Sequence, residues 1–251
     1  MKSRRSSPRK SSAKIALASA APNKTGKAMA RATTRKTTAP GPAPWDSPRR
    51  SGKKPSFIEE ARRKQILDVS LELIAKRGYD NTSLADIAEA VGVSKGVISY
   101  HFDGKSDLGK QVLRHWMRQY NRYVTERLER QDTPRARLLE LPNACIDFAV
   151  DRRDESMVYG DTVGCFGTAA ERHQFLAWAE AGMRQMIVGL IRKAREAGEI
   201  GPVAEGPLAD IMQAVIDGVA SLHGSNPEAV DIAGCKAMIR QMLLAVLGGK
   251  R

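Results

Sequence analysis

The chain has 251 residues, 42% of them hydrophobic, and a formal net charge of +13. This length and composition predict a folded protein with a buried core, and no apolar run approaches the ~20 residues that a membrane-spanning helix needs. Three scattered cysteines, Cys145, Cys165 and Cys235, and four histidines lack metal-ligand or CxxC spacing, which argues against a zinc site or a redox dithiol. We expect the cysteines to be structural thiols of the core.

The positive charge lies almost entirely in residues 1–56, which hold 15 Lys and Arg against one acidic residue, Asp46. Residues 57–251 hold 26 Lys and Arg against 27 acidic residues. Rich in Ser, Thr, Ala and Pro, residues 1–56 are predicted to form a disordered basic tail that could add salt-sensitive phosphate contacts. A solvated tail without a role, or a start codon further downstream, explains this composition equally well. Its short apolar stretch does not make an export signal, so we expect a cytoplasmic protein.

The first predicted helix begins after Ser56, which has the spacing of a capping box with Glu59. Its apolar residues recur with helical periodicity as far as Arg77. Gly78 then provides a typical helix end.

Residues 82–102 carry the most informative pattern in the chain. Ser83 and Asp86 have capping-box spacing at the start of a short helix with one apolar face. Gly92 allows a tight turn, and Ser94 is predicted to cap a second short helix. This arrangement predicts a helix-turn-helix, although an ordinary helical hairpin within a protein core would give the same local signals.

On the second short helix, Ile98 and Phe102 lie one turn apart and are expected to point into the core. The other residues of this helix would then face outward, where they could meet a DNA major groove. Lys105, at the start of the next helix, could grip a phosphate together with helix N-terminal N–H groups. The candidate DNA-binding residues are Ser83, Ser94, Lys95, Gly96, Val97, Ser99, Tyr100, His101 and Lys105.

Beyond Lys105 the patterns are helical, and no segment shows sustained strand alternation. Long helices are predicted at 105–131, 135–152, 171–197, 207–223 and 227–247. A Gly-rich connector, residues 160–168, lacks a phosphate-loop pattern and follows no strand. We therefore predict a helix break there rather than a phosphate site.

The last two predicted helices carry apolar stripes with small residues that permit close approach. From the residues alone, an interface between two copies of the chain and an intramolecular core explain these stripes equally well. Large side chains elsewhere in the helical region could line a ligand cavity, although such residues more often pack in a core. The candidate pocket residues are Trp116, Tyr120, Phe148, Phe166, Phe175, Trp178, Met212 and His223.

Several spaced sequence elements decide between these interpretations. They are Arg62-Arg63, Ile66-Leu67, Arg77-Gly78-Tyr79, Leu84-Ala85-Asp86-Ile87-Ala88, Gly92-Val93-Ser94-Lys95-Gly96, Tyr100-His101-Phe102 and Lys105-Ser106-Asp107-Leu108. Together they resemble the DNA-binding domain of the TetR family over residues 57–113. Family members often carry Tyr where this chain has Ser99, and Tyr100 is the candidate substitute for its backbone contact.

The resemblance implies an all-α protein with an N-terminal three-helix DNA-binding domain at 57–113. A C-terminal helical bundle at 114–251 would bind a ligand and dimerise. The implied function is that of a repressor, a homodimer that a small-molecule effector releases from a double-stranded DNA operator, with no cofactor and no membrane contact. The Gly-rich connector is also similar to a Gly-Cys connector found in some TetR bodies.

Two other classes of protein remain for comparison. A nucleoid-type DNA-binding protein would bind mainly through the basic tail. An enzyme would need a paired nucleophile and base, paired catalytic carboxylates or a cofactor fingerprint, and the sequence contains none of these patterns above chance.

Overall fold

The computed structural model describes residues 56–248, so the predicted basic tail lies outside the described residues apart from Ser56. The described residues form α-helices and two short 3₁₀ turns, without a strand, which confirms the predicted all-α class. The helices are α1 Phe57–Arg77, α2 Leu84–Val91, α3 Lys95–His101, α4 Gly104–Glu129, α5 Pro134–Asp151, α6 Arg153–Thr162, α7 Ala169–Glu196, α8 Glu205–Ser225 and α9 Ile232–Leu247, and the 3₁₀ turns are Val163–Cys165 and Pro227–Ala229.

Helix α1 has the predicted ends. The Ser56 hydroxyl accepts a hydrogen bond from the Glu59 backbone N–H at 3.3 Å, and the Glu59 carboxylate accepts one from the Ser56 N–H at 2.7 Å. These two bonds satisfy N–H groups that have no partner within the first turn. The helix stops at Gly78, whose φ of 80° is a conformation that side chains with a Cβ rarely adopt.

Buried apolar side chains form two cores, and helix α4 belongs to both. Its first half places Leu108 and Val112 in an N-terminal core with α1, α2 and α3, which the 3₁₀ turn Val163–Cys165 and the start of α7 also join. Its second half places Val124 and Leu128 in a C-terminal core with α5, α7, α8 and α9. Because α4 is one continuous helix, it connects the two cores mechanically.

The structure adds a helix that the sequence analysis missed. Helix α6 runs from Arg153 to Thr162 through Gly160, so the predicted break at 160–168 begins only after Thr162. Gly160 lowers helix propensity, but Val158 is buried in the N-terminal core, and tertiary packing of this kind overrides propensity.

The predicted helix at 227–247 was also wrong at its start. Residues Pro227–Ala229 form a 3₁₀ turn, and α9 begins only at Ile232. The reason is Asp231, whose carboxylate accepts a hydrogen bond from the Gly234 N–H at 2.9 Å and so caps a new helix.

Two of the three cysteines are buried, as predicted, while Cys235 is only partly buried. Burial raises the pKa of the Cys145 thiol to about 12 and that of Cys165 to about 12. Both side chains are therefore neutral thiols at neutral pH and pack as small apolar groups.

Gly109 in α4 packs closely against two segments that lie outside this helix. A Cβ on this residue would lie 2.7 Å from Tyr79 Cε2 and 2.8 Å from Cys165 Cβ, which is less than real Cβ contacts allow. Beside it, the Ser106 hydroxyl donates a hydrogen bond to the Cys165 carbonyl at 2.8 Å. Only glycine lets α4 approach both Tyr79 and the 3₁₀ turn this closely.

The substitution Gly109→Ala should therefore destabilise the fold. We expect a loss of about 1–3 kcal/mol in the free energy of unfolding, because overpacking forces backbone shifts. Chemical denaturation followed by circular dichroism measures this change. The matched control is Gly189→Ala in α7, where a Cβ would meet nothing within 4 Å; it should stabilise the helix by roughly 0.5–1 kcal/mol. Equal effects of the two substitutions would contradict the packing argument.

Candidate nucleic-acid interface and helical body

Helices α2 and α3 form the predicted helix-turn-helix. The Ser83 hydroxyl accepts a hydrogen bond from the Asp86 N–H at 3.1 Å, and the Asp86 carboxylate accepts one from the Ser83 N–H at 2.7 Å. The Ser83 hydroxyl also donates to the Asp86 carboxylate at 2.5 Å, and this bond, the bond from the Ser83 N–H and the charge of Arg77 lower the pKa of Asp86. Gly92 turns the chain with a φ of 75°. The capping box and the glycine turn therefore have the predicted geometry.

The predicted side-chain cap of α3 was wrong. Ser94 occupies the position before the helix, but its hydroxyl makes no capping hydrogen bond, and only its carbonyl contributes, accepting from the Val97 N–H at 3.0 Å. The Ser94 side chain is exposed and thus stays on the outer surface. The helix is stabilised instead by packing, since Ile98 and Phe102 are both buried.

Helix α1 fixes the position of α3. The Arg63 guanidinium lies 4.4 Å from the centre of the Phe102 ring and donates a hydrogen bond to the His101 carbonyl at 2.5 Å. A cation above a ring face is attracted by the ring quadrupole. Arg63 therefore holds the C-terminal end of α3 against α1.

The inward packing leaves a polar outer surface on the helix-turn-helix. The candidate residues that the structure places on this surface, all exposed, are Ser83, Ser94, Lys95, Gly96, Ser99 and Tyr100. Two further candidates are less accessible: Val97 packs against the N-terminal core and His101 is partly buried. Burial and the nearby Arg63 lower the pKa of His101, which favours its neutral form.

Tyr100 has a partner that the sequence did not indicate. Although 66% exposed, it donates a hydrogen bond from its hydroxyl to Glu59 Oε1 at 2.7 Å. Bonds from the Ser56 N–H and from Tyr100 lower the pKa of Glu59, and the same contact raises the pKa of Tyr100. Glu59, which belongs to the capping box of α1, thereby orients the Tyr100 side chain on the outer surface. No local signal connects two residues 41 positions apart.

The Lys105 side chain is partly buried and makes contacts within the fold. Its ammonium lies 4.7 Å from the centre of the Tyr79 ring and donates a hydrogen bond to the Asp80 carbonyl at 3.0 Å. The Tyr79 hydroxyl in turn donates to the Lys105 carbonyl at 3.1 Å, and burial raises the pKa of Tyr79 to about 12. Lys105 thus braces the segment between α1 and α2 as well as facing the interface.

In the helical body, most of the predicted pocket residues lie together in an aromatic cluster, which Tyr159 joins. Trp116 is at its centre, with its ring 5.7 Å from that of Tyr120, 5.9 Å from Phe148 and 5.4 Å from Tyr159. Phe175 extends the cluster, with centroid distances of 5.9 Å to Tyr159, 4.8 Å to Phe166 and 6.4 Å to Trp178.

The other two candidates lie elsewhere. Met212 is buried in the C-terminal core, and His223 lies near the end of α8. The Nδ1 atom of His223 and the Nε1 atom of Trp116 are both buried without a hydrogen-bond partner in the described residues.

Helices α8 and α9 also expose large apolar side chains. Ile211 and Leu222 are 58% and 62% exposed on α8, and Met238, Met242 and Val246 are each more than half exposed on α9. Exposed apolar side chains that form a contiguous surface mark an interaction site. No helix among residues 56–248 combines the length and the apolar character that a membrane crossing would require.

Comparison with known proteins finds similarity to bacterial transcriptional regulators. Residues 66–112 match the model of bacterial regulatory proteins of the tetR family. The HTH-type transcriptional regulator BetI of Brucella anthropi is 22% identical over 201 residues, which cover 77% of this chain and 97% of that protein. AcrR of Shigella flexneri is 48% identical over 50 residues, or 20% of this chain and 23% of AcrR.

Solved structures share the fold over most of the chain. A TetR-family transcriptional regulator of Cytophaga hutchinsonii has a TM-score of 0.64 at 18% identity and covers 78% of this chain and 100% of its own. FadR of Bacillus subtilis, crystallised with stearoyl-CoA, has a TM-score of 0.61 at 18% identity and covers 73% of this chain and 98% of its own.

The all-helical fold and the outward-facing helix-turn-helix define a DNA-binding transcriptional regulator. Residues 66–112 are similar to the DNA-binding domain of the tetR family, and regulators of that family share the fold of most of the chain.

Replacing Lys95 or Tyr100 with alanine should weaken specific operator binding while leaving the fold intact, because both side chains are exposed and neither supports the core. A lost base contact costs about 1–3 kcal/mol, or roughly tenfold or more in affinity per residue. Fluorescence anisotropy with operator DNA, which genomic binding-site mapping would provide, measures this loss. The control is Lys193→Ala, an exposed lysine of α7. Wild-type affinity in the Lys95 and Tyr100 variants would contradict the assignment of this surface.

Proposed function

We propose that the chain is a homodimeric repressor that binds a palindromic double-stranded operator and leaves it when a small-molecule effector occupies the body. The observation that carries the DNA-binding role is the polar outer surface of α3, held in place by the buried Ile98 and Phe102. In a dimer, two such helices would enter successive major grooves about 34 Å apart. The residues proposed to contact DNA are Ser83, Ser94, Lys95, Gly96, Val97, Ser99, Tyr100, His101 and Lys105.

The exposed apolar surface of α8 and α9 supports the dimer. On α8, Ile211, Ala214, Gly218 and Leu222 recur every three or four residues and therefore share one helix face. All four are exposed, whereas Met212 and Ile216 on the adjacent face fill the core. Pairing with a second copy would bury this face in a four-helix arrangement.

Charge on this face should therefore prevent dimerisation. We expect Ile211→Asp combined with Leu222→Asp to convert the dimer to a monomer, because each carboxylate would have to be desolvated in an apolar interface. Sedimentation equilibrium measures the oligomeric state. The control is Ile58→Asp, which changes a 76% exposed residue of α1. A doubly substituted chain that stays dimeric would contradict the proposed interface.

A continuous path of contacts supports coupling between body and DNA-binding surface. The Phe166 ring joins the aromatic cluster and lies 5.3 Å from the Lys110 ammonium on α4. The backbone carbonyl of the neighbouring Cys165 accepts a hydrogen bond from the Ser106 hydroxyl, and the Cys165 side chain packs against Gly109. An effector that displaces the rings of the aromatic cluster would move the 3₁₀ turn Val163–Cys165 and helix α4. Because the first half of α4 packs with α1, α2 and α3 in the N-terminal core, its movement would shift the helix-turn-helix. The effector would lower operator affinity to the extent that it binds the displaced arrangement of the helices more tightly than the DNA-binding arrangement.

We further propose that residues 57–113 form the DNA-binding domain and residues 114–251 the effector and dimerisation domain. The work of such a protein would take place in the cytoplasm at the nucleoid. An enzymatic role has no support, since the family consists of transcriptional regulators.

Deleting residues 1–54 separates this proposal from a nucleoid-type protein that binds through its tail. Residues 57–113 hold 8 Lys and Arg against 9 Asp and Glu, so bulk attraction to DNA would come from the tail. We expect the truncated chain to keep operator specificity, with a shallower dependence of affinity on salt because fewer counterions are released. Binding isotherms at several salt concentrations provide the slopes. Complete loss of specific binding would favour the nucleoid-type alternative.

A further inference from the structure

The start of α1 carries a small, partly apolar hollow on the side of the helix that faces away from the core. The hollow has a volume of about 220 Å³, and the side chains that line it are all exposed: Phe57, Ile58, Ala61, Arg62 and Gln65. Phe57 is 86% exposed and Ile58 76%, the highest fractions among the large hydrophobic side chains of residues 56–248. We call this site the α1 hollow. Large apolar side chains in water are unfavourable until another group covers them.

The α1 hollow is too small and too open for a typical small-molecule site. Pockets for small molecules usually have volumes of about 300–1,000 Å³ and bury most of the ligand. All five lining residues come from one helix, so they could cover only one side of a bound group. Such a surface fits a single flat side chain that another segment of protein presents.

The segment that precedes α1 contains a side chain of this kind. Trp45 is the one aromatic residue among residues 1–55, which lie outside the described residues. Ten residues, 46–55, separate it from Ser56, so the connection spans up to about 36–40 Å when extended. The α1 hollow extends along only about 12 Å of helix at the usual rise per residue. Trp45 can therefore reach the whole α1 hollow without stretching the chain.

The residue after Trp45 complements the charge of the α1 hollow. Asp46 is the one acidic residue among residues 1–55 and follows Trp45 directly. Arg62 lines the α1 hollow, and its guanidinium donates a hydrogen bond to the uncharged Gln65 side chain at 2.7 Å. A guanidinium has five N–H donors, so this bond leaves others for a carboxylate. The aromatic ring and the carboxylate of neighbouring residues thus match the apolar and the cationic part of one site.

We propose that the α1 hollow binds the chain's own segment 44–46, with the Trp45 ring against Phe57 and Ile58 and the Asp46 carboxylate beside Arg62. The connection favours this occupant over a separate partner, because a short tether gives an effective concentration in the millimolar range. Docking closes residues 46–55 into a loop that starts and ends at the beginning of α1.

This loop contains a cluster of positive charge: Arg49, Arg50, Lys53 and Lys54. The middle of a closed ten-residue loop can lie no more than about 20 Å from its ends. The first turn of α1 is next to the outer surface of the helix-turn-helix, since Glu59 accepts the hydrogen bond from Tyr100 at 2.7 Å. Docking therefore keeps four cations of the tail beside the surface proposed to contact DNA. This consequence, unlike the docking itself, rests on the proposed function.

Fluorine NMR of the full-length protein labelled with 5-fluorotryptophan tests the docking. The chain has three tryptophans, and Trp45→Phe identifies the resonance of Trp45. We expect this resonance to differ less between H₂O and D₂O than that of free 5-fluorotryptophan, because the docked ring is shielded from solvent. A Trp45 resonance with the full solvent effect of the free amino acid would overturn the proposal.

A double substitution assigns the shielding to the α1 hollow. Phe57→Ser combined with Ile58→Ser should expose the Trp45 ring and leave the other two resonances unchanged, because both replaced side chains lie outside the core. The control is Lys76→Ser, an exposed position near the other end of α1, which should change none of the three. Shielding of Trp45 that survives the double substitution would contradict the site. Shielding that disappears on dilution would assign the α1 hollow to the tail of a second copy and overturn docking within one chain.

A charge exchange tests the ion pair between Asp46 and Arg62. Asp46→Arg should reduce the docking equilibrium constant about two- to fivefold, the range expected for an exposed ion pair. Asp46→Arg combined with Arg62→Asp should restore it, because the pair is rebuilt with its charges reversed. Solvent shielding of Trp45 provides the docked fraction. A double variant that docks no better than Asp46→Arg alone would contradict the proposed orientation of the segment.

An operator-binding assay separates this inference from the proposed function. Trp45→Ser prevents docking without changing the charge of the tail, and we expect a roughly two- to fivefold loss of operator affinity at low salt, since exposed charges contribute weakly. Docking of Trp45 that leaves operator affinity unchanged would support the site and contradict its role in DNA binding. Operator binding by a chain in which Trp45 is fully solvent-exposed would leave the repressor proposal standing and refute the docking.

Discussion

The structure depends on one continuous helix that is packed into two cores. The 26 residues of α4 span about 39 Å at the usual rise per residue, and their two halves are buried among different sets of helices. Close approach at Gly109 fixes this helix against both Tyr79 and Cys165. Because packed interiors are nearly incompressible, a displacement of either neighbour must be taken up by α4.

Contacts between α1 and the outer helix α3 explain how a nearly neutral DNA-binding unit can be specific. With no charge excess in residues 57–113, selectivity has to come from a few side chains held in defined positions. The contacts of Arg63 with Phe102 and of Glu59 with Tyr100 connect α1 directly to the outer helix. These contacts reduce the conformational freedom that the outer helix would otherwise lose on binding, which is the general advantage of preorganisation.

Sequence patterns correctly predicted those features of the fold that depend on residues close together in the chain. The capping boxes at Ser56 and Ser83, the glycine turn at Gly92 and the inward positions of Ile98 and Phe102 all follow from periodicity and backbone geometry. Predictions from local sequence patterns were wrong where another capping residue or packing in the core determined where a helix begins or ends. Asp231 capped α9 later than expected, and buried Val158 kept Gly160 helical.

The candidate site could be predicted only in part. The residues of α3 were found because one face of a short helix must be buried, which leaves the other exposed. The bond between Tyr100 and Glu59 joins residues that are distant in sequence, and no periodicity reports it. In the body, the aromatic residues could be named, but their assembly into one cluster follows only from the way that α4, α5, α6 and α7 pack.

We propose that the outer surface of α3 reads base pairs in the major groove from a symmetric dimer. Dimethyl sulfate footprinting on a mapped operator tests this contact, because methylation at guanine N7 reports major-groove contact. We expect two protected patches about one helical turn apart, each losing protection when Lys95 is replaced by alanine. Protection that is unaffected by this substitution, or a single patch without symmetry, would rule out this mode of binding.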